Sequence, residues 1–183
     1  TVDALGGVTK NEYDANGRVT RHIAYAKPID PAALSDASTV ATIAGLVVTS
    51  PNDDETKSYV YDGDGREIYC IDALGNVKLK TYDGNGNLVR LMEYSNAIPA
   101  STPLTQADVS LALVPNGTKD RLTRTVYGAA NRPVYDIDAE GDVKETQYDA
   151  AGNVTRTIEH AARLLADAAS ATGEDYLWTV NGT

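Results

Sequence analysis

A tetrapeptide, Asp-x-x-Gly, opens at Asp3, Asp14, Asp62, Asp72, Asp83, Asp138 and Asp149 and closes at Gly6, Gly17, Gly65, Gly75, Gly86, Gly141 and Gly152. Within unbroken runs the copies stand ten or eleven residues apart. Aspartate at the first turn position accepts hydrogen bonds from the amides that follow it, and glycine at the fourth takes positive φ without steric penalty. This is the chemistry of a hairpin closed by a glycine bulge. The spacing leaves about six residues for each strand, an ordinary length. The pattern predicts an all-β chain, an antiparallel hairpin repeat array.

Two periods are superimposed on the turns. The short one, 21 residues, carries Tyr61-Asp62 to Tyr82-Asp83 and Tyr127-Gly128 to Tyr148-Asp149. The long one aligns the stretches 3–25, 72–94 and 138–160 without a gap, at offsets of 69 (72 minus 3) and 66 (138 minus 72). In that register Tyr13, Tyr82 and Tyr148 coincide, as do Arg21, Arg90 and Arg156. Agreement among copies inside one chain reports a shared structural requirement. The sequence divides into repeat blocks at 1–25, 59–94 and 124–160, with inserts at 26–58 and 95–123 and a third, truncated insert at 161–183.

The inserts are rich in Ala, Ser, Thr and Pro. Val40, Ile43, Leu46 and Val47 fall at helical spacing, with Ser38 or Thr39 available as the N-cap. Leu104, Val109, Ala112 and Leu113 do the same before Pro115-Asn116-Gly117, and Leu164, Leu165, Ala168 and Ala169 repeat the pattern. One short amphipathic helix is expected in each insert, packed on the sheet or its rim. Thr1-Val2-Asp3 stands where Cys70-Ile71-Asp72 stands, and Asn181-Gly182-Thr183 where Asn116-Gly117-Thr118 stands. The expectation is an excerpt of a longer chain, with copies joined head to tail through raw sheet edges as the alternative.

The run from Gly75 through Val77, Tyr82-Asp83, Gly86 and Leu88 to Arg90 resembles the YD repeat of the RHS family. So do the stretches 6–21 and 141–156, and Tyr61-Asp62-Gly63-Asp64-Gly65-Arg66 is a partial copy. Tyr127-Gly128-Ala129-Ala130-Asn131-Arg132 departs from it, losing both the turn aspartate and the turn glycine. The resemblance implies a β-sheet that winds into a spiral, shell or fibre. It also implies a secreted or surface-exposed protein, of the kind that forms toxin-carrying cocoons or adhesion molecules. The family's self-cleaving signature, built around Asp-Pro-x-Gly, has no match in the sequence.

Charge and composition narrow the function classes. Twenty-six acidic against sixteen basic residues argue against a nucleic-acid partner. Cys70 is the one cysteine, so no intrachain disulfide forms. No run of 18 apolar residues is present, so no membrane span is expected. The N-terminus lacks the apolar core of a signal peptide, which places any export signal outside this chain.

Alternation puts Val19, Arg21, Ile23 and Tyr25 on one strand face, with Leu88, Arg90, Met92 and Tyr94, and Val154, Arg156, Ile158 and His160, as the matching rows. An arginine in an apolar row calls for a turn carboxylate or a tyrosine hydroxyl from the neighbouring hairpin. This predicts a structural ladder; anion or glycan recognition is the alternative. Asp62, Asp64, Asp83 and Asn85 are weak candidates for calcium. An EF-hand loop starting at Asp62 would need glutamate at its twelfth position, where Ala73 stands. The eleven tyrosines suit cross-strand pairing, with sugar stacking as the sharper alternative. His22, His160 and Cys70 form no recognisable catalytic spacing. The expectation is a non-enzymatic structural segment without a cofactor, whose partners are adjacent repeats of the same or an identical chain. A glycan- or calcium-binding adhesion module is the first alternative.

Overall fold

The computed structural model describes residues 1–164. Ten strands form one antiparallel sheet in which spatial order follows chain order throughout. They are β1 (Thr9–Tyr13), β2 (Val19–Ala24), β3 (Glu55–Tyr61), β4 (Glu67–Asp72), β5 (Val77–Tyr82), β6 (Leu88–Glu93), β7 (Arg121–Tyr127), β8 (Pro133–Ile137), β9 (Val143–Tyr148) and β10 (Val154–His160). Each strand is therefore hydrogen-bonded to its sequence neighbours, the arrangement that short turns between β-branched and aromatic runs favour. Strands β3 and β7 start inside the spans 26–58 and 95–123 that composition assigns to inserts.

Five tight turns, joining β1–β2, β3–β4, β5–β6, β7–β8 and β9–β10, lie along one end of the sheet. Each of these hairpins carries a register shift beside its turn: at Tyr13, Tyr61, Tyr82 and Tyr127, and between Val154 and Arg156. The opposite end carries the turns at Asp72 and Asp138 and the bases of both inserts. All seven turn glycines have positive φ, between 79° and 93°. The departing turn at 128–131 keeps the same hydrogen bonds: the Gly128 amide donates to the Arg132 carbonyl and the Asn131 amide to the Gly128 carbonyl, each at 2.9 Å. Asn131 takes φ 56° there, a conformation asparagine tolerates better than other non-glycine residues.

The core sits under the middle strands. Val60, Ile68, Tyr69, Ile71 and Val77 pack with Ile98 and Val109 from the second insert. Helix α1 (Val40–Leu46) is capped by Thr39, and α2 (Gln106–Ala112) by Thr105, each through its side-chain oxygen. The two helices differ in packing. Val109 anchors α2 in the core, whereas α1 buries no residue and leaves Val40 exposed. The helix placed at Leu164, Leu165, Ala168 and Ala169 lies outside the described residues except for Leu164, which is in no helix or strand.

Candidate functional site

The turn end of the sheet carries a ladder built from two side chains per rung. Tyr61 donates its hydroxyl to the Val19 carbonyl at 2.7 Å, Tyr82 to Glu67 at 2.8 Å, Tyr127 to Leu88 at 3.4 Å and Tyr148 to Pro133 at 2.8 Å. In every case the acceptor lies two residues past the turn glycine, or past Asn131. The tyrosine of one hairpin thus closes on the backbone of the hairpin before it. Tyr13, on β1, has no preceding hairpin; it is 60% exposed, and its hydroxyl accepts from the Asn11 side chain at 3.3 Å.

Arginines directly after the turns complete the rungs. Arg18 stacks on Tyr61 at 4.7 Å from the ring centre, Arg66 on Tyr82 at 5.4 Å and Arg132 on Tyr148 at 4.9 Å. Each such contact contributes roughly 0.5–1 kcal/mol at an exposed site. At the fourth rung Asn87 replaces arginine and donates its amide to Asn131 at 2.6 Å. Arg18 and Arg66 are also held by their own turn carboxylates, Asp14 at 2.7 Å and Asp62 at 2.8 Å. Neither Arg18, Arg66 nor Arg132 belongs to the row Arg21, Arg90 and Arg156 that the long period singles out. A comparison of residues immediately following each turn would have found them.

The row Arg21, Arg90 and Arg156 occupies one sheet face, as alternation requires, but not with the partners expected. Among the described residues none of the three forms an ion pair with a turn carboxylate or bonds a tyrosine hydroxyl. The premise of burial fails at the sheet's ends, where Arg21 and Arg156 are exposed to water. Attraction at longer range remains: Arg21 helps to lower the pKa of Glu12, and Arg156 that of Glu145. Arg90 faces Arg124 directly across β6 and β7.

The turn carboxylates are engaged with their own loops. One oxygen of Asp14, Asp62, Asp72, Asp83 and Asp138 accepts backbone amides two and four residues on, at 2.9–3.0 Å. Asp3 repeats this at 2.8 Å, and Asp149 accepts from the Asn153 amide at 2.8 Å. For the calcium candidates, the second oxygens of Asp62 and Asp83 bond Arg66 and Asn87, and Asp64 is paired with Arg66. The Asn85 side chain reaches Asn131. Among the described residues no group of three or more His, Cys, Asp and Glu side chains is arranged to hold a metal ion.

These bonds hold the turn aspartates below their ordinary pKa. Asp14 is lowered chiefly by the Arg18 amide, and Asp83 and Asp149 by the side-chain amides of Asn87 and Asn153. At Asp62 and Asp72 burial pushes upward, but hydrogen bonds from Arg66 and Asn76 outweigh it. A depressed folded pKa gives stability that is present above the unfolded value, near 3.8, and lost as pH falls through the folded value. The urea midpoint is therefore expected to hold from pH 7 to about 5 and to fall below about pH 4. A midpoint that rose on acidification would contradict the turn assignment.

Two further devices recur at the opposite end of the sheet, and the sequence alignment stopped short of both. The amides of Ile29, Ile98 and Leu164 donate to the carbonyls of Gly6, Gly75 and Gly141 at 2.9, 2.9 and 2.8 Å. Each insert thus doubles back over the turn, and the alignment extends in register to Ile29, Ile98 and Leu164. Asp54 then closes the first insert by accepting the amides of Ala26 and Ser50, both at 2.9 Å. Asp120 does the same for the second, accepting the Ser95 amide and hydroxyl at 2.8 and 2.9 Å and the Asn116 amide at 2.7 Å. Burial pushes the Asp120 carboxyl up, yet those donors hold it below the usual range.

The residues weighed for catalysis stand apart. His22 bonds Asn11 at 2.7 Å on β2, while His160 pairs with Glu145 at 3.0 Å on β10. Cys70 is half-buried on β4, and burial pushes its thiol up, which leaves little thiolate at neutral pH. Among the described residues no helix is long and apolar enough to cross a membrane.

No model of a known protein family matches the sequence, and no curated protein does. Among solved structures the chain is similar to TcdB2-TccC3-Cdc42, at 18% identity over 85% of this chain and 8% of that one, with a TM-score of 0.40. It is similar to TcdB2-TccC3 without its hypervariable C-terminal region at 17% identity, with the same coverage and a TM-score of 0.41. It is also similar to a chain of the Photorhabdus luminescens Tc holotoxin pore, at 17% identity, 85% and 8% coverage and a TM-score of 0.38. The chain thus spans about 8% of the length of those it matches. The description of the fold rests on this chain's own register and turns.

Proposed function

We propose that this chain is a non-enzymatic structural segment: a stretch of β-sheet wall in a larger secreted or cell-surface protein of the YD/RHS kind. What carries the reading is the ladder, in which four tyrosine hydroxyls are each committed to the backbone of the neighbouring hairpin. The turn carboxylates likewise spend their acceptors on their own loops. A surface organised this way joins one repeat to the next and extends a sheet, and its mechanism is geometric. Enclosure of a cargo by a shell, or extension into a fibre, would follow from adding further units. The likeness to chains of toxin assemblies supports no finer statement than a structural repeat.

The adhesion alternative makes the discriminating test. A ligand that binds the folded state at a hundredfold excess over its dissociation constant stabilises it by about 2.7 kcal/mol. For a chain of this size that is a rise of roughly 5–10 °C in melting temperature. Melting in calcium against sodium chloride of matched ionic strength is expected to show no such rise, and a glycan array no selective binding. A calcium-dependent rise of that size, or a selective glycan, would replace the wall with a binding module.

The rungs themselves can be tested. Tyr82→Phe keeps the ring under Arg66 and removes the hydroxyl that holds Glu67, at an expected cost of about 1 kcal/mol. An unchanged urea midpoint would show that the hydroxyl contributes nothing to joining the hairpins.

A further inference from the structure

The ladder leaves its two complementary halves at the two outer strands. Tyr13 on β1 has no carbonyl to close on, and it is 60% exposed. At the other edge Val154, 59% exposed, stands two residues past Gly152. That is the place held by Val19, Glu67, Leu88 and Pro133, the carbonyls that the four inner tyrosines clasp. No described strand pairs with the outer edge of β10. We propose that a second copy of this chain docks head to tail, its β1 laid along β10 of the first, so that Tyr13 of one copy donates to the Val154 carbonyl of the other. This rests on the reading of the chain as a repeat wall, and it names the partner and the contact.

The register of such a joint is dictated by the four inside the sheet. In each, the residue two past the clasped carbonyl faces the residue three before the clasping tyrosine. The pairs are Arg21 with Ser58, Tyr69 with Leu79, Arg90 with Arg124 and Tyr135 with Glu145. The same rule sets Arg156 of one copy opposite Lys10 of the other. Lys10 is ion-paired with Glu12 at 2.7 Å, which offsets part of its charge. The seam is short. Thr1 and Val2 already hold Thr9 and Val8, so the outer edge of β1 is offered from Lys10 to Tyr13. A seam of that length gives weak association, on the order of 0.1–1 mM.

Sedimentation of the 183-residue chain across that concentration range tests the joint. Concentration-dependent association is expected for the wild type. Tyr13→Phe should weaken it about two- to tenfold, the effect of one hydrogen bond. Arg156→Glu should tighten it by a similar factor, because a carboxylate then faces Lys10. A chain that is folded and cooperative but monomeric at about 1 mM overturns the docking. Association indifferent to both substitutions also overturns it, since the copies would then meet through another surface. Neither result touches the calcium and glycan measurements on which the wall reading stands or falls.

Discussion

Replacing Gly75 by alanine is expected to destabilise the chain by about 3–4 kcal/mol, several times the effect of an ordinary surface substitution. Two costs combine. Gly75 has φ +84°, a left-handed conformation that costs an L side chain about 1–2 kcal/mol. A Cβ there would also stand 2.4 Å from the Ile98 carbonyl oxygen, so backbone must move. That movement would draw Ile98, a core residue, away from Val77 and Val109. Gly86 supplies the control: its φ is also +84°, but nothing lies within 4 Å of the added carbon. Gly86→Ala should therefore cost the conformational part alone, about 1–2 kcal/mol. In melting temperature the two should differ by roughly 4–10 °C. Urea unfolding followed by circular dichroism measures both, and equal costs would mean that the doubling-back of the insert over Gly75 contributes nothing.

Asp54→Ala is expected to cost about 2–4 kcal/mol, with its first effect confined to the insert. Asp54 is buried, and its two oxygens satisfy the amides of Ala26 and Ser50. Without the carboxylate these two donors lose their partner in a partly buried setting, the costly direction of the asymmetry between made and unmade hydrogen bonds. The stretch between them contains α1, which buries nothing of its own and has no other anchor of that strength. Hydrogen exchange should accelerate at Ala26, at Ser50 and across α1, while β4 and β5 stay protected. Limited proteolysis should then cut between residues 30 and 50. Slow exchange across the insert in the variant would mean that its conformation is held by something other than the clasp.

Much of the sheet was legible before any coordinates. The Asp-x-x-Gly turns specify hairpins because their chemistry is local, with acceptor and donors inside five residues of chain. The strand faces follow from period-two alternation, and Thr39 as the cap of α1 follows from a side chain bonding an amide three residues away. The turn at 128–131 looked like a loss of the motif. Its backbone is the same, because Asn131 can take the left-handed conformation that glycine takes elsewhere.

The ladder was legible in part. Tyr82 and Tyr148 were singled out with Tyr13, but the arginines stacked on the rungs are Arg18, Arg66 and Arg132, not Arg21, Arg90 and Arg156. Which arginine meets a ring depends on how adjacent hairpins lie against each other, not on recurrence in the chain. The packing of the helices was equally hidden. Val109 of α2 reaches the core and α1 reaches nothing, although both segments show apolar residues at helical spacing.

The seven turn glycines mark the division most clearly. By itself the sequence determined that all of them would sit in tight turns at positive φ, since that follows from bonds among near neighbours. The tertiary structure decided which of them would be covered. Gly6, Gly75 and Gly141 lie under the carbonyls of Ile29, Ile98 and Leu164, while Gly17 and Gly86 face open space. The residues that cover them stand some 23 positions away along the chain. Their approach is set by the path of the insert and by the burial of Ile98 beside Val77 and Val109, a cooperative packing that no local pattern encodes.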